Sequence, residues 1–254
     1  MNGTPFYLNK HPDDAAFLDT PVVTLTGDDK PFVDKELRRK FLSLVMAMYW
    51  ICLHAEPSIL GVINMLSRKS HVVTEKLFSY AKYLLRYLYE TRKNIVQYRR
   101  DLPDGAKFID ETDFPEEERI HNRFHICGYT DADYAIGPSR HCEVFMIAGG
   151  PFDWGSRMAT TVSTSTLGTE MNALHEGVLT AAWTKLIMVE FGHPIHGPIL
   201  MFQDNRGVID TLQSDGYRHR LRHVMSVVCH VREMVQAEVV KVVSCTTQRQ
   251  LADI

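Results

Sequence analysis

Apolar residues recur at two different periods along this chain, and the period changes near residue 120. Before that point the spacing is helical. The run from Leu42 to Ala55 predicts a buried helix beginning at Asp34. Pro57 ends it, because a residue preceding proline is pushed out of the α region. A second helix is expected from Ile59 to Ser67 and a third from Thr74 to Thr91. In the third, Leu77, Ala81, Leu84, Leu85 and Leu88 fall on one helical face. Tyr80, Tyr83 and Tyr87 adjoin that stripe, and tyrosines so placed pack at a core's edge more often than they stack on a nucleic acid.

After residue 120 the pattern is mixed. Short apolar runs predict strands at Phe124–Tyr129, Val144–Ala148 and Phe152–Ser156, with Gly149-Gly150-Pro151 as the turn between the last two. A helix from Thr169 to Phe191 is carried by Met171, Leu174, Val178, Ala182, Leu186 and Val189, and Gly192 stops it. The continuous run Ile199-Leu200-Met201-Phe202 suits a strand buried on both faces. A helix to Leu212, another from Leu221 to Ala237, and a strand Val239–Val243 follow. Three strands, then helix, strand, two helices and a strand, describe an α/β fold. A meander followed by right-handed crossovers gives a mixed five-stranded sheet with helices packed on it.

Two stretches lie outside this plan. Residues 1–34 carry Pro5, Pro12, Pro21 and Pro31 without sustained periodicity and read as an extended arm. Residues 101–120, with eight acids between Asp101 and Glu118, read as an acidic linker. The expected organisation is therefore a helical region over 35–100 and an α/β domain over 121–254. At 45% hydrophobic and 23% charged, the chain can bury a sizeable core. A net charge of -3 provides no global basic field for nucleic acid, which leaves only local basic faces. Five scattered cysteines without a CxxC pair suit reduced thiols in an intracellular compartment, cytoplasm or nucleus. The longest apolar run is shorter than the ~20 residues a membrane span needs, so no membrane partner is expected.

The candidate chemistry lies in carboxylates at corresponding places in the plan. Asp131 ends the first strand within Gly128-Tyr129-Thr130-Asp131-Ala132-Asp133-Tyr134-Ala135, Glu170 opens the long helix, Asp204 ends the fourth strand, and Asp253 follows the fifth. Singly, each has an ordinary role: Asp131 as a turn-former, Glu170 as a helix N-terminal charge, Asp204 as an N-cap. Jointly they stand where open α/β sheets gather ligands, beyond the ends of adjacent strands. An all-oxygen donor set suits Mg²⁺ or Mn²⁺. Two such ions about 4 Å apart can clamp both oxygens of an in-line phosphoryl displacement.

The sequence also resembles the polyprotein of copia-type retrotransposons, in the part that follows the reverse transcriptase palm and carries the ribonuclease H domain. Phe41-Leu42-Ser43-Leu44-Val45, Asn64-Met65-Leu66-Ser67-Arg68 and Leu84-Leu85-Arg86-Tyr87-Leu88 resemble the connection region. The Gly128–Ala135 stretch, Gly149-Gly150-Pro151 with Trp154-Gly155-Ser156, and Ser165-Thr166 through Glu170 to Ala173-Leu174 resemble the ribonuclease H domain. So do Asp204-Asn205 with Ile209, His230-Val231-Arg232-Glu233, and Gln250-Leu251-Ala252-Asp253-Ile254. The resemblance implies a ribonuclease H-like fold behind a small helical region. It implies that Asp131, Glu170, Asp204 and Asp253 bind two Mg²⁺ or Mn²⁺ ions. The implied reaction is hydrolysis of the RNA strand of an RNA–DNA hybrid, leaving a 3′-hydroxyl and a 5′-phosphate, with the reverse transcriptase palm as an upstream partner.

The sequence departs from the family at several points. Ser139-Arg140-His141-Cys142 replaces a serine-, threonine- and glycine-rich turn, Gly168 replaces a glutamate, and Glu56-Pro57-Ser58 replaces Arg-Pro-Asp. No Tyr-x-Asp-Asp motif occurs, so no polymerase activity is expected. Ile254 alone follows Asp253, which places that acid on a fraying end. These departures keep open a second reading, a transposon-derived domain that binds nucleic acid or protein without hydrolysis. Expected nucleic-acid contacts are Arg218, Arg220, Arg222, His223 and Asn205, together with the basic segment Arg86, Arg92, Lys93, Arg99 and Arg100. His219 and His223 stand one helical turn apart, but their arginine neighbours favour phosphate over a metal.

Overall fold

The computed structural model describes residues 35–93, 96, 98, 126–133, 139–159, 165–214 and 222–253. The expected arm over 1–34, the acidic linker and the residues Arg99, Arg100, Arg218, His219 and Arg220 lie outside the described residues. The chain divides into two compact units, Met1–Gln97 and Tyr98–Asp253.

The first unit is helical. Helix α1 spans Lys35–His54, a short 3₁₀ turn Pro57–Ile59 leads into α2, Leu60–Arg68, and α3 covers Glu75–Thr91. Thr74 caps α3 by accepting the Leu77 N–H at 3.1 Å, which satisfies one of the helix's otherwise unpaired first-turn donors. Phe41, Val45, Met48 and Cys52 of α1 are fully buried. The expectation of a wholly buried α1 is corrected, because Met46, Trp50 and Leu53 on its other face are exposed. In α3, Leu77, Ala81, Leu84 and Leu88 are buried as their spacing predicts. Leu85 is exposed instead, being one position beyond what a 3.6-residue period can turn inward.

The second unit is a five-stranded sheet in the order β3-β2-β1-β4-β5 flanked by helices. Its elements are β1 Cys127–Asp133, β2 Arg140–Ile147, β3 Gly150–Met158, α4 Thr166–Glu190, β4 Ile199–Gln203, α5 Arg206–Gln213, α6 Met225–Gln236 and β5 Val240–Ser244. The first three strands pair antiparallel. β1 runs parallel to β4, and β4 runs parallel to β5. This is the mixed five-stranded sheet flanked by helices that the sequence predicts.

Two local expectations change. The hairpin turn is Ala148-Gly149, both at positive φ, with Ile147 paired to Gly150. That is the two-residue geometry whose twist matches the flanking strands, so Gly150 and Pro151 belong to β3 rather than to the turn. Arg140, His141 and Cys142, expected in a turn, form the start of β2, because Asp131, Ala132 and Asp133 continue β1 opposite them.

Every residue of β4 is buried, as expected of a strand covered on both faces. Met171, Leu174 and Val178 of α4 enter the core with Ile126, Phe145, Met201, Val208, Val228 and Val231. Leu186 and Val189 do not join them, because the buried line passes instead through Ala181, Thr184 and Met188. A Cβ on Gly177 would sit 2.4 Å from Thr130 Cγ2 and 2.9 Å from Met201 Cε. The helix backbone therefore lies directly on β1 and β4. Alanine at position 177 would gain ~1 kcal/mol in helix propensity yet cost ~1–3 kcal/mol in overpacking, so the overpacking wins. We predict that Gly177→Ala lowers the urea midpoint, and that adding Thr130→Ser, which deletes Cγ2, recovers part of the loss. An unchanged midpoint in Gly177→Ala would refute this packing.

Candidate functional site

The parallel pair β1–β4 holds register only through Tyr129 and Phe202, whose rings stack at 4.8 Å between centroids. Beyond that rung the two strands have no further paired residues, and Asp131 and Asp204 follow on either side of the gap. Asp131 lies within β1, opposite Cys142, rather than at the strand's end as expected. Its neighbour Asp133, on the same strand face, is exposed and pairs in register with Arg140.

Glu170 also differs from its expected place. Ser165 caps α4 by accepting the Gly168 N–H at 3.1 Å, so the helix starts at Thr166 and Glu170 stands in its second turn. Only 6% of Glu170 is exposed, which excludes a simple role as a solvated N-terminal charge. Asp204 is not the cap of α5. Asn205 takes that role, accepting the Gly207 N–H on Oδ1 at 3.0 Å. Asn205 is thereby committed to the helix terminus through its side-chain oxygen.

The acids act on one another. Burial pushes the Asp131 carboxyl up to about 6, with Asp204, Asp253 and Asp133 adding repulsion in that order. Glu170 is pushed up to about 8, again chiefly by burial and then by the charges of Asp131 and Asp204. The side chains of Asn205 and Gln203 face Glu170 and oppose this rise. Neither closes on its second oxygen: Glu170 Oε2 and Gln203 Nε2 are both buried without a hydrogen-bond partner among the described residues. A buried oxygen of this kind costs ~1–3 kcal/mol while unsatisfied.

Those observations bring Asp131, Glu170, Asp204 and Asp253 into one neighbourhood, from a strand, a helix, a loop and the chain's last described turn. The donor set is all oxygen and partly desolvated, which fits a hard divalent cation. The acids are neighbours rather than a closed cage: among the described residues, no group of three His, Cys, Asp or Glu side chains is arranged to hold a metal ion.

Two amide side chains, Gln203 and Gln250, were not expected at the site, and Asn205, expected as a nucleic-acid contact, instead caps α5. Gln203 and Asn205 face Glu170, and Gln250 bonds β1. Gln203 adjoins Asp204, and Gln250 opens the Gln250–Ile254 stretch that resembles the family. Of the expected nucleic-acid contacts, Arg222 and His223 are exposed just before α6. In the helical unit, Arg86 is committed to Glu90 at 2.8 Å and Arg92 lies over the Tyr89 ring. A second polar group lies under α4, where His141 bonds Glu176 at 3.1 Å and Glu143 meets both Arg157 and Thr180. All five cysteines are free thiols, and burial raises Cys52, Cys127 and Cys142. Among the described residues, no helix is long and apolar enough to cross a membrane.

The chain has relatives among retrotransposon polyproteins. No protein-family model matches it. It is 23% identical over 201 residues to the retrovirus-related Pol polyprotein from transposon RE2 of Arabidopsis thaliana, covering 78% of this chain and 12% of the polyprotein. The corresponding polyprotein of transposon TNT 1-94 from Nicotiana tabacum is 30% identical over 131 residues, 50% of this chain and 10% of its own length. The chain thus spans about an eighth of the length of the first of these copia-type relatives. Among solved structures, LC11-RNase H1 from compost is 17% identical with a TM-score of 0.40, covering 50% of this chain and 89% of its own. RNase H1 from Halobacterium salinarum is 13% identical with a TM-score of 0.34, covering 50% and 91%.

The carboxylate cluster has a pH signature. Folding raises both Asp131 and Glu170, so the folded chain retains protons that the unfolded chain releases. Their contribution to stability is therefore largest below the ordinary carboxylate range and is lost as pH rises from about 4.5 towards 8. In chelator, Glu170→Gln should be more stable than the parent at pH 8, by ~1–3 kcal/mol, with the gap closing below pH 4.5. Thermal melts across that range measure it, and a Glu170→Gln chain less stable at pH 8 would show that Glu170 is not repelled there.

Proposed function

We propose that the α/β unit is a two-metal endonuclease that hydrolyses the RNA strand of RNA–DNA hybrids. The observation that carries this reading is the repulsion of half-buried Asp131 by Asp204 and Asp253 and of buried Glu170 by Asp131 and Asp204, four acids supplied by four separate elements. Like charges confined in this way raise each other's proton affinity unless a cation offsets them. Divalent ions bound there would offset that repulsion and stabilise charge on the attacking and leaving oxygens of a phosphodiester.

The chain's own residues have distinct tasks in this reading. Asp131 within β1 and Asp204 just after β4 hold the centre, their spacing set by the β1–β4 ladder that ends beside them. Glu170 enters from α4, whose backbone is seated on β1 at Gly177. Asn205 and Gln203 turn amides toward Glu170 and favour its ionised form, as amides near a ligating carboxylate do. Arg222 and His223 provide exposed basic groups for the nucleic-acid backbone. Hydrolysis would break the bond to the 3′ oxygen, leaving a 3′-hydroxyl and a 5′-phosphate. Similarity to Pol polyproteins supports this reading, and the reverse transcriptase palm is the proposed upstream partner.

One observation favours a second reading. The absence of a ready three-ligand group among the described residues is what a domain that binds without hydrolysing would show. Incubation of end-labelled hybrid with Mg²⁺ or Mn²⁺ separates the two. We expect cleavage confined to the RNA strand, lowered at least ~100-fold in Asp131→Asn, the upper end of what losing a mere supporting group costs. Absence of cleavage with either ion, or equal cleavage by Asp131→Asn, would favour the binding domain.

A further inference from the structure

Asp253 is expected on a fraying end, yet the turn before it is one of the better-anchored parts of the site. Gln250 is 5% exposed, and Ala252 is fully buried. The Gln250 Nε2 donates to the Thr130 carbonyl at 3.0 Å, across 120 residues of sequence. Its Oε1 accepts the Ala252 N–H at 3.3 Å, and the Asp253 N–H reaches the Gln250 carbonyl at 3.4 Å. Both ends of the amide are therefore occupied, one by the sheet and one by the turn that carries Asp253.

The sheet topology explains why this bond is available. The β1–β4 ladder stops at Tyr129 and Phe202, so the next β1 carbonyl on that side, at Thr130, has no β4 partner. After β5, the Cys245 N–H bonds the Gln203 carbonyl at 3.0 Å, carrying the chain across the end of β4. The 3₁₀ turn Thr247–Arg249 then brings Gln250 to Thr130, the residue adjoining Asp131. The influence of Asp253 on the Asp131 carboxyl accords with that placement.

We propose that Gln250 is a positioning residue of the carboxylate site: its side chain fastens the last turn to β1 and so sets Asp253 against Asp131. The proposal rests on the hydrolytic reading for its catalytic consequence, though not for the clamp itself. A buried, doubly bonded amide suits this task because it fixes geometry without adding a fifth charge to four acids. Loss of such a group should act on the site rather than on the fold, since the remainder of the sheet is paired independently of it.

The test uses the whole chain with Gln250→Met, which keeps the side chain's length and removes both hydrogen bonds. Amide exchange followed by NMR should show the Ala252 N–H exchanging at least ~10-fold faster, with the melting temperature within a few degrees of the parent. Hybrid cleavage should lose ~10–100-fold in kcat with KM for the hybrid little changed, the range seen when a ligand's supporting partner is removed. Asp253→Asn should add little further loss in the Gln250→Met background while costing its full effect in the parent, because the two residues act as one unit. Unchanged Ala252 exchange, or fully additive losses, would overturn the proposal. If the parent cleaves no hybrid, the hydrolytic reading fails, and Ala252 exchange alone decides the clamp. Should Gln250→Met not fold, Gln250→Asn, one methylene too short for Thr130, is read by the same measurements.

Discussion

The structure depends on the β1–β4 parallel rung at Tyr129 and Phe202, and on the way the two strands stop pairing beyond it. Paired strands lie ~5 Å apart, so the two residues just beyond a common rung emerge side by side whatever their sequence. Placing aspartates there makes repulsion unavoidable, and the fold has to supply the energy that keeps them together. It does so with a fully buried β4 and a helix whose backbone at Gly177 packs directly on the Thr130 and Met201 side chains. The apolar core therefore holds together charges that water would let drift apart.

Around the acids the structure uses amides more than cations. Asn205 caps α5 and faces Glu170, Gln203 receives the Asn205 N–H at 3.1 Å, and Gln250 bonds Thr130. An arginine or lysine in these positions would neutralise the acids permanently and lower their demand for a divalent ion. An amide orients a carboxylate while leaving its charge to be balanced by something else. The second buried polar group under α4 follows the opposite logic. There Glu143 has the Arg157 guanidinium at 2.9 Å and accepts from the Thr180 hydroxyl at 3.1 Å. The two clusters thus differ in what opposes burial: Arg157 offsets part of the rise at Glu143, whereas amides do so at Glu170.

Much of this was legible in residue order. The 3.6-residue period of α3 and the unbroken apolar run of β4 predicted those elements nearly residue by residue, because burial of one helical stripe, or of both strand faces, leaves a local mark. Where local rules competed, the sequence misplaced detail. Arg140–Cys142 carry turn-like polarity but pair with β1, since a central strand offers a ladder to any backbone opposite it. Asp204 and Asn205 are both good caps, and only the path of the chain out of β4 selected Asn205.

The sequence by itself determined the class of fold, the order of its elements and the candidate acids, since each is written in local period and residue type. Tertiary structure alone decided that Asp131, Glu170, Asp204 and Asp253 share one neighbourhood, that burial rather than charge dominates the shifts at Asp131 and Glu170, and that Gln250 is part of the same site. The physical reason is range. Periodicity and capping act over a few residues, whereas desolvation and repulsion depend on distance in space, and Gln250 meets Thr130 across 120 residues of chain.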